Sequence, residues 1–187
     1  MADDTIMTAV AGFGRAEDSD DTRELCIERL YDTHARSLYR YAYAITRSAE
    51  DAEDVLQEVF TSIAREPKRH VCSEAVKGYL FTAARNASYS ILRSRRRRGD
   101  LTQAWMDDCA LACPDASAGI IQSQAVRQAF ATLPTDQREV LVLKIYDEMS
   151  FREIADAVGS SISTVASRYR YAIAKLREAL EGDDNER

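Results

Sequence analysis

Several things are scarce in this chain, and each scarcity narrows what it can be. Glycine and proline account for seven and three of 187 residues, so turn signals are sparse, and no strand-like alternation persists anywhere. The four cysteines, Cys26, Cys72, Cys109 and Cys113, include no CxxC pair. That spacing argues for reduced thiols over a disulfide framework or a zinc site. There are two histidines, His34 and His70, and no HExxH or comparable ligand set, so no metal, cofactor or catalytic residue is expected. No apolar run approaches the length of a membrane span, and an N-terminus carrying Asp3 and Asp4 without a basic region does not resemble a signal peptide. A cytoplasmic protein is expected.

What is present is charge in blocks. The net charge of −6 hides an uneven distribution. Acid gathers at Glu17 to Asp21, at Glu50 to Glu58 and in the C-terminal tail, whereas Arg93 and Arg95 to Arg98 form a basic run without a carboxylate. An acidic face and a basic face imply different partners.

The stretch from Ser150 to Leu180 reads as helix, tight turn, helix. Ser150 is placed to cap the first helix, with Glu153 completing a capping box and Met149 and Ile154 as a hydrophobic staple. Phe151, Ile154, Ala155 and Val158 form its apolar stripe, and Gly159 supplies the left-handed residue that ends it. Ser161 caps the next helix, whose expected inward stripe is Val165, Tyr169, Ala172, Leu176 and Leu180. Its opposite face carries Ser163, Thr164, Ser167, Arg170 and Lys175, suited to phosphates and base edges. The same pattern also fits a packed helical hairpin with a solvated face.

Earlier in the chain, residues 1–22 are acidic and lack a sustained period, reading as a flexible tail. From Arg23 the pattern is helical, with Leu25, Ile27, Leu30, Tyr31, Leu38, Tyr39, Tyr41, Ala42 and Ile45 apolar. Ser48 caps a second helix with inner stripe Ala52, Val55, Leu56, Val59, Phe60 and Ile63, which leaves Asp51, Asp54, Gln57 and Glu58 at or near the surface. A loop over 66–74 carries Lys68, Arg69 and His70. A third helix runs from about Ala75 into the arginines, with Val76, Tyr79, Leu80, Ala83, Ala87, Ile91 and Leu92 inward. Residues 99–119 break the period and read as a linker. A further domain spans 120–181, with Val126, Ala129, Phe130 and Leu133 on one helix, Pro134 at the N1 position of the next, and Val140, Leu141, Leu143 and Ile145 after it. Residues 182–187 are a tail. The fold class is therefore all-α, two small helical domains joined by a flexible linker.

Four separated segments together resemble one family. Ala52-Glu53-Asp54-Val55-Leu56-Gln57-Glu58-Val59-Phe60, Tyr79-Leu80-Phe81-Thr82-Ala83-Ala84-Arg85-Asn86, Leu133-Pro134 through Arg138-Glu139-Val140, and Ser150-Phe151-Arg152-Glu153-Ile154-Ala155 with Thr164-Val165-Ala166-Ser167-Arg168 are similar to a bacterial sigma factor of the extracytoplasmic-function group. The likeness covers about residues 23 to 181. It implies a region 2 domain over 23–98 that binds core RNA polymerase and the minus-ten element, and a region 4 domain over 120–181 that reads the minus-thirty-five element. On the resemblance, Asp51, Asp54, Gln57 and Glu58 dock on the clamp coiled coil of the largest polymerase subunit, and the flap region is a second contact. Lys68, Arg69, His70, Arg85, Asn86, Arg93, Arg95, Arg96, Arg97 and Arg98 meet minus-ten DNA, with the arginines on the backbone and His70 and Asn86 at bases. Ser163, Thr164, Ser167, Arg168, Arg170 and Lys175 meet minus-thirty-five DNA, Arg168 on phosphate or in an internal ion pair. Tyr79, Ala166 and Tyr171 depart from the residues most frequent in relatives, as does the 66–74 loop, which lacks the usual aromatic and glycine. An anti-sigma factor is an implied partner.

Two rival functions share parts of this pattern. A helix-turn-helix regulator acting without polymerase explains Ser150 to Leu180 but leaves the acidic helix and the Asn86 segment without a role. A metal-dependent hydrolase could draw on Asp51, Asp54, Glu58 and His34 or His70, but it lacks a recognisable ligand spacing.

Overall fold

The computed structural model describes residues 20–65, 76–98 and 124–184. Among them the chain forms seven helices, α1 (Asp20–Thr46), α2 (Ala49–Arg65), α3 (Val76–Arg98), α4 (Gln124–Thr132), α5 (Thr135–Ile145), α6 (Phe151–Val158) and α7 (Ile162–Asp184). The expected N-terminal tail up to residue 19, the Lys68, Arg69 and His70 loop, the 99–119 linker and Cys72, Cys109 and Cys113 lie outside the described residues, whereas residues 20–22 and 182–184, expected in the tails, are helical and extend α1 and α7.

The helix boundaries follow local chemistry. Arg47, at a φ of 57°, adopts the left-handed backbone that ends α1, its N–H still reaching the Tyr43 carbonyl at 2.8 Å. Ser48 then caps α2, its hydroxyl accepting from the Asp51 N–H at 3.2 Å and its carbonyl from Ala52. At α6 the anticipated capping box is complete. The Ser150 hydroxyl accepts from the Glu153 N–H, the Glu153 carboxylate accepts from the Ser150 N–H at 2.7 Å, and Gly159 closes the helix at a φ of 65°. Such reciprocal caps satisfy donors that the helix itself leaves unpaired. Pro134 differs by one step from expectation. It is the N-cap of α5 with an extended ψ of 147°, and not the first helical residue, because its carbonyl already accepts from Arg138.

Helices α1, α2 and α3 pack on one another, as do α4, α5, α6 and α7, and the two groups are joined directly where α1 meets α5 and α3 meets α6. One apolar core runs through both, from Leu38, Ile45, Val55 and Leu80 to Val140, Leu143, Ile154 and Val165. A smaller cluster of Leu133, Leu141 and Ala172 seats α4 and α5 on α7. This direct packing explains burial that the single-stripe reading passed over. Helix α3 buries Phe81, Ala84 and Ser88 in addition to Leu80 and Ala87, and Phe81 meets Tyr41 of α1 edge-on at 5.4 Å, a contact worth about 1 kcal/mol beyond its area. Helix α5 buries Arg138 through Leu143 without interruption, as a helix covered on all sides must. Leu180, expected on the inward stripe of α7, is instead exposed at 46%, and Tyr31 of α1 is exposed at 48%. Tyr31 meets Phe60 at a tilted angle of 59°, ring centroids 5.0 Å apart, and Leu180 lies near the end of α7, past the helices that cover Val165 and Ala172.

Candidate nucleic-acid and protein interfaces

The acidic helix α2 presents Asp54, Gln57 and Glu58 to solvent, lining a shallow open groove with Thr61, Ser62 and Arg65. These last three continue the helical period that starts at Asp54, and that period would have found them in the sequence. Asp51 does not belong to this surface. It is buried at 5% exposure, and its Oδ1 receives Arg95 from the far end of α3 at 2.7 Å. Burial pushes its carboxyl up from the ordinary aspartate range, an effect that Arg95 opposes. The reason is positional. The third residue of α2 points back over the helix start, and α3 runs past that point.

The basic run therefore divides. Arg93, Arg96, Arg97 and Arg98 are exposed, but Arg95 is committed to Asp51 and approaches the Ser48 hydroxyl at 3.5 Å. Arg85, nearly three turns earlier, is partly buried. Its Nε faces Glu139 Oε2 of α5 at 3.4 Å, and its guanidinium lies over the Tyr89 ring at 4.7 Å. Asn86 beside it is exposed.

Helix α7 begins with a cluster of hydroxyls. Ser161 accepts from the Thr164 N–H at 3.1 Å and shares hydrogen bonds with the hydroxyls of Ser163 and Thr164. Ser163, Thr164 and Arg170 are exposed, and Ser167 is half-buried and accepts from Arg170 at 3.3 Å. Lys175 is exposed and reaches the Thr132 carbonyl that ends α4. Arg168 is held internally, by Asp136 at 2.9 Å and the Ser160 hydroxyl at 3.3 Å, so it fastens α7 to the start of α5 and to the turn. Tyr171, not among the sequence candidates, is an exposed large hydrophobic side chain on this helix at 68%. It falls one turn from Ser167 and Arg168 on the outward surface, a placement that helical spacing alone would have indicated.

Polar and charged side chains also reach across the junction between the two helix groups. From α5, Arg138 donates to the Ala44 carbonyl at 2.8 Å, near the end of α1. Arg47 donates to the Ala131 carbonyl at 2.7 Å, and Lys77 to the Asp147 carbonyl at 2.8 Å. Arg40 lies over the Tyr146 ring at 4.9 Å. Glu139 is fully buried. Desolvation pushes its carboxyl up from the usual range, against the pull of the Tyr89 hydroxyl, Arg85 and Arg168. Asp147 is raised for the same first reason, with Ser37, Arg40, Lys77 and His34 opposing. One oxygen of each, Glu139 Oε1 and Asp147 Oδ2, has no hydrogen-bond partner among the described residues. This junction carries no signal in a helical period, because its charges come from elements far apart in the chain.

Comparison with known proteins addresses the chain as a whole. Residues 30–98 match the family model "Sigma-70 region 2", and residues 123–176 match "Sigma-70, region 4". The chain is 31% identical over 179 residues to the ECF RNA polymerase sigma factor SigL of Mycobacterium tuberculosis, covering 94% of this chain and 97% of that protein. It is 28% identical to the ECF RNA polymerase sigma factor SigX of Bacillus subtilis, covering 84% and 85% respectively. Among solved structures it is similar to the sigma factor RpoE crystallised with the anti-sigma factor NepR from Bartonella quintana. That likeness has a TM-score of 0.69 at 26% identity and covers 82% of this chain and 96% of the other.

Proposed function

Because the chain belongs to the extracytoplasmic-function group of sigma-70 RNA polymerase sigma factors, we propose that it does its work with two separate surfaces, an acidic one for core polymerase and basic ones for promoter DNA. It is an alternative sigma factor that directs RNA polymerase. Residues 23–98 act as the polymerase-binding and minus-ten domain, and residues 120–181 as the minus-thirty-five domain. The activity is binding and strand separation in the cytoplasm, and the chain makes or breaks no covalent bond.

The observation that carries this reading is the row of Asp54, Gln57 and Glu58, exposed along α2 in a groove that Thr61, Ser62 and Arg65 also line. An acid and amide row of that kind pairs with arginines across an interface, fixing register and speeding encounter. Asp51 acts through Arg95, holding α3 against α2, and is a positioning residue for the row. Asn86 stands free to meet an unpaired base with both a donor and an acceptor. Arg93, Arg96, Arg97 and Arg98 follow the phosphates near it, joined by Lys68, Arg69 and His70 of the preceding loop. On α7, Ser163, Thr164, Ser167 and Arg170 reach base edges, while Lys175 takes phosphate and Arg168 braces the helix. The crystallised RpoE complex with NepR supports an anti-sigma protein as a further partner.

The test is holoenzyme assembly and promoter-directed transcription with purified core polymerase. Asp54→Lys with Glu58→Lys is expected to weaken core binding by at least tenfold while leaving the helical spectrum unchanged. Full-strength assembly by that double variant overturns the assignment of α2.

A further inference from the structure

Tyr171 is 68% exposed, and its direction is set by what α7 buries, since Val165 and Ala172 are sealed on the inner side. Ser163, Ser167, Tyr171 and Lys175 then form one outward row, each a turn beyond the last. We propose that Tyr171 anchors α7 at the wall of the major groove, its phenol hydroxyl donating to a phosphate and its ring lying on the adjoining deoxyribose. This contact rests on the sigma-factor reading of α7 and adds to it a backbone anchor that carries no charge.

Three observations build it. The first is reach. Tyr171 lies eight residues beyond Ser163, about 12 Å along the helix axis, and the major groove is itself about 12 Å wide. A helix that offers its first turn to base edges has therefore arrived at the groove wall by Tyr171, where sugar and phosphate face it.

The second observation is that the cation beside it is withdrawn. Arg168, three residues earlier on the same flank, is held by Asp136 at 2.9 Å and by the Ser160 hydroxyl at 3.3 Å. Ser167 is half-buried and accepts from Arg170. On the flank between Ser167 and Lys175, the long side chain directed outward is thus Tyr171.

The third is chemical. A tyrosine joins a rigid apolar body to a hydroxyl tip, and few torsions are lost when it is fixed. A phosphate oxygen is a charged acceptor, which strengthens the bond that the phenol donates. Unlike lysine or arginine, the phenol neutralises no phosphate and so releases no counterion. The contribution of Tyr171 to affinity is therefore independent of salt, and it holds no information about the base sequence.

The experiment uses holoenzyme assembled from the full-length chain and purified core polymerase, with the duplex promoters that unaltered holoenzyme recovers from a randomised library. Affinity is measured across a series of salt concentrations. Tyr171→Ala is expected to bind about tenfold more weakly at every concentration while selecting the same promoters. Tyr171→Phe keeps the ring and loses only the donor, and is expected to bind about threefold more weakly. Lys175→Ala should instead flatten the salt dependence by about one phosphate contact. The Tyr171 ring is exposed, so both of its variants should keep the helical spectrum and melting temperature of the unaltered chain. Full-strength binding by Tyr171→Ala overturns the proposal, and so does a loss that comes with an altered salt slope or with relaxed preference at a base pair. Unaltered holoenzyme that selects no promoter ends the sigma-factor reading and this contact together, whereas the other adverse results end the contact alone.

Discussion

Replacing Arg95 should behave unlike replacing its neighbours, although the sequence presents them as one run. Arg95 donates to Asp51 at 2.7 Å, with the aspartate side chain 8% exposed and the arginine 32%. Removing one partner of a fully buried pair costs roughly 3–5 kcal/mol, because the other charge is left without compensation. Water that reaches Arg95 reduces this, and about 2 kcal/mol is a reasonable expectation for Arg95→Ala. For a chain of this size that corresponds to a fall in Tm of about 4–8 °C. Arg97 is exposed, so Arg97→Ala should change stability by less than ~0.5 kcal/mol. It should instead lower the dependence of DNA affinity on salt by about one phosphate contact. Thermal unfolding of both variants, with Asp51→Asn and the Asp51→Asn/Arg95→Ala double variant, completes the cycle, and a coupling of at least ~1 kcal/mol is expected. Equal melting temperatures for Arg95→Ala and Arg97→Ala would refute the division of the run.

Ser150→Ala removes the hydroxyl half of a capping box, the acceptor of the Glu153 N–H, and should cost about 1 kcal/mol, read as a shift in denaturant midpoint at constant slope. The junction also predicts a pH dependence. Glu139 faces Arg85, Tyr89, Tyr41 and Arg168, and burial holds its folded carboxyl above the unfolded value, so the folded chain binds more protons than the unfolded one across that window. Its contribution to stability is then complete below the ordinary glutamate range and is lost as pH rises through the raised value. Glu139→Gln should flatten this decline above the ordinary glutamate range, and parallel stability profiles for the two proteins would contradict the cause assigned. On the DNA side, Arg170→Ala should relax preference at one base pair of the minus-thirty-five element by about 1–3 kcal/mol. Promoter selection by holoenzyme checks this, and a uniform loss of affinity with unchanged preference would count against α7 as the reader.

Caps, breaks and single stripes were legible in the sequence because they are local. Ser48, Ser150 with Glu153, Gly159 and Ser161 act within a turn of where they stand, and the stripes of α2 and α6 follow a period that one helix imposes on itself. The acidic row from Asp54 and the outward face of α7 were legible for the same reason. The tertiary structure decided which charges remain available. Asp51 lies three residues from Asp54 and would pass for its neighbour, yet α3 crosses above it and Arg95 is drawn in. The sequence leaves Arg168 either on phosphate or in an internal pair, and the position of Asp136 on α5 selects the pair. Arg85 and Glu139, 54 residues apart, meet only because the two halves share a core. A helical period records what a residue's own helix does with it. Whether a charge faces water, DNA or another charge depends on which other helix arrives opposite, and that is settled when the apolar surfaces of all seven helices are buried together.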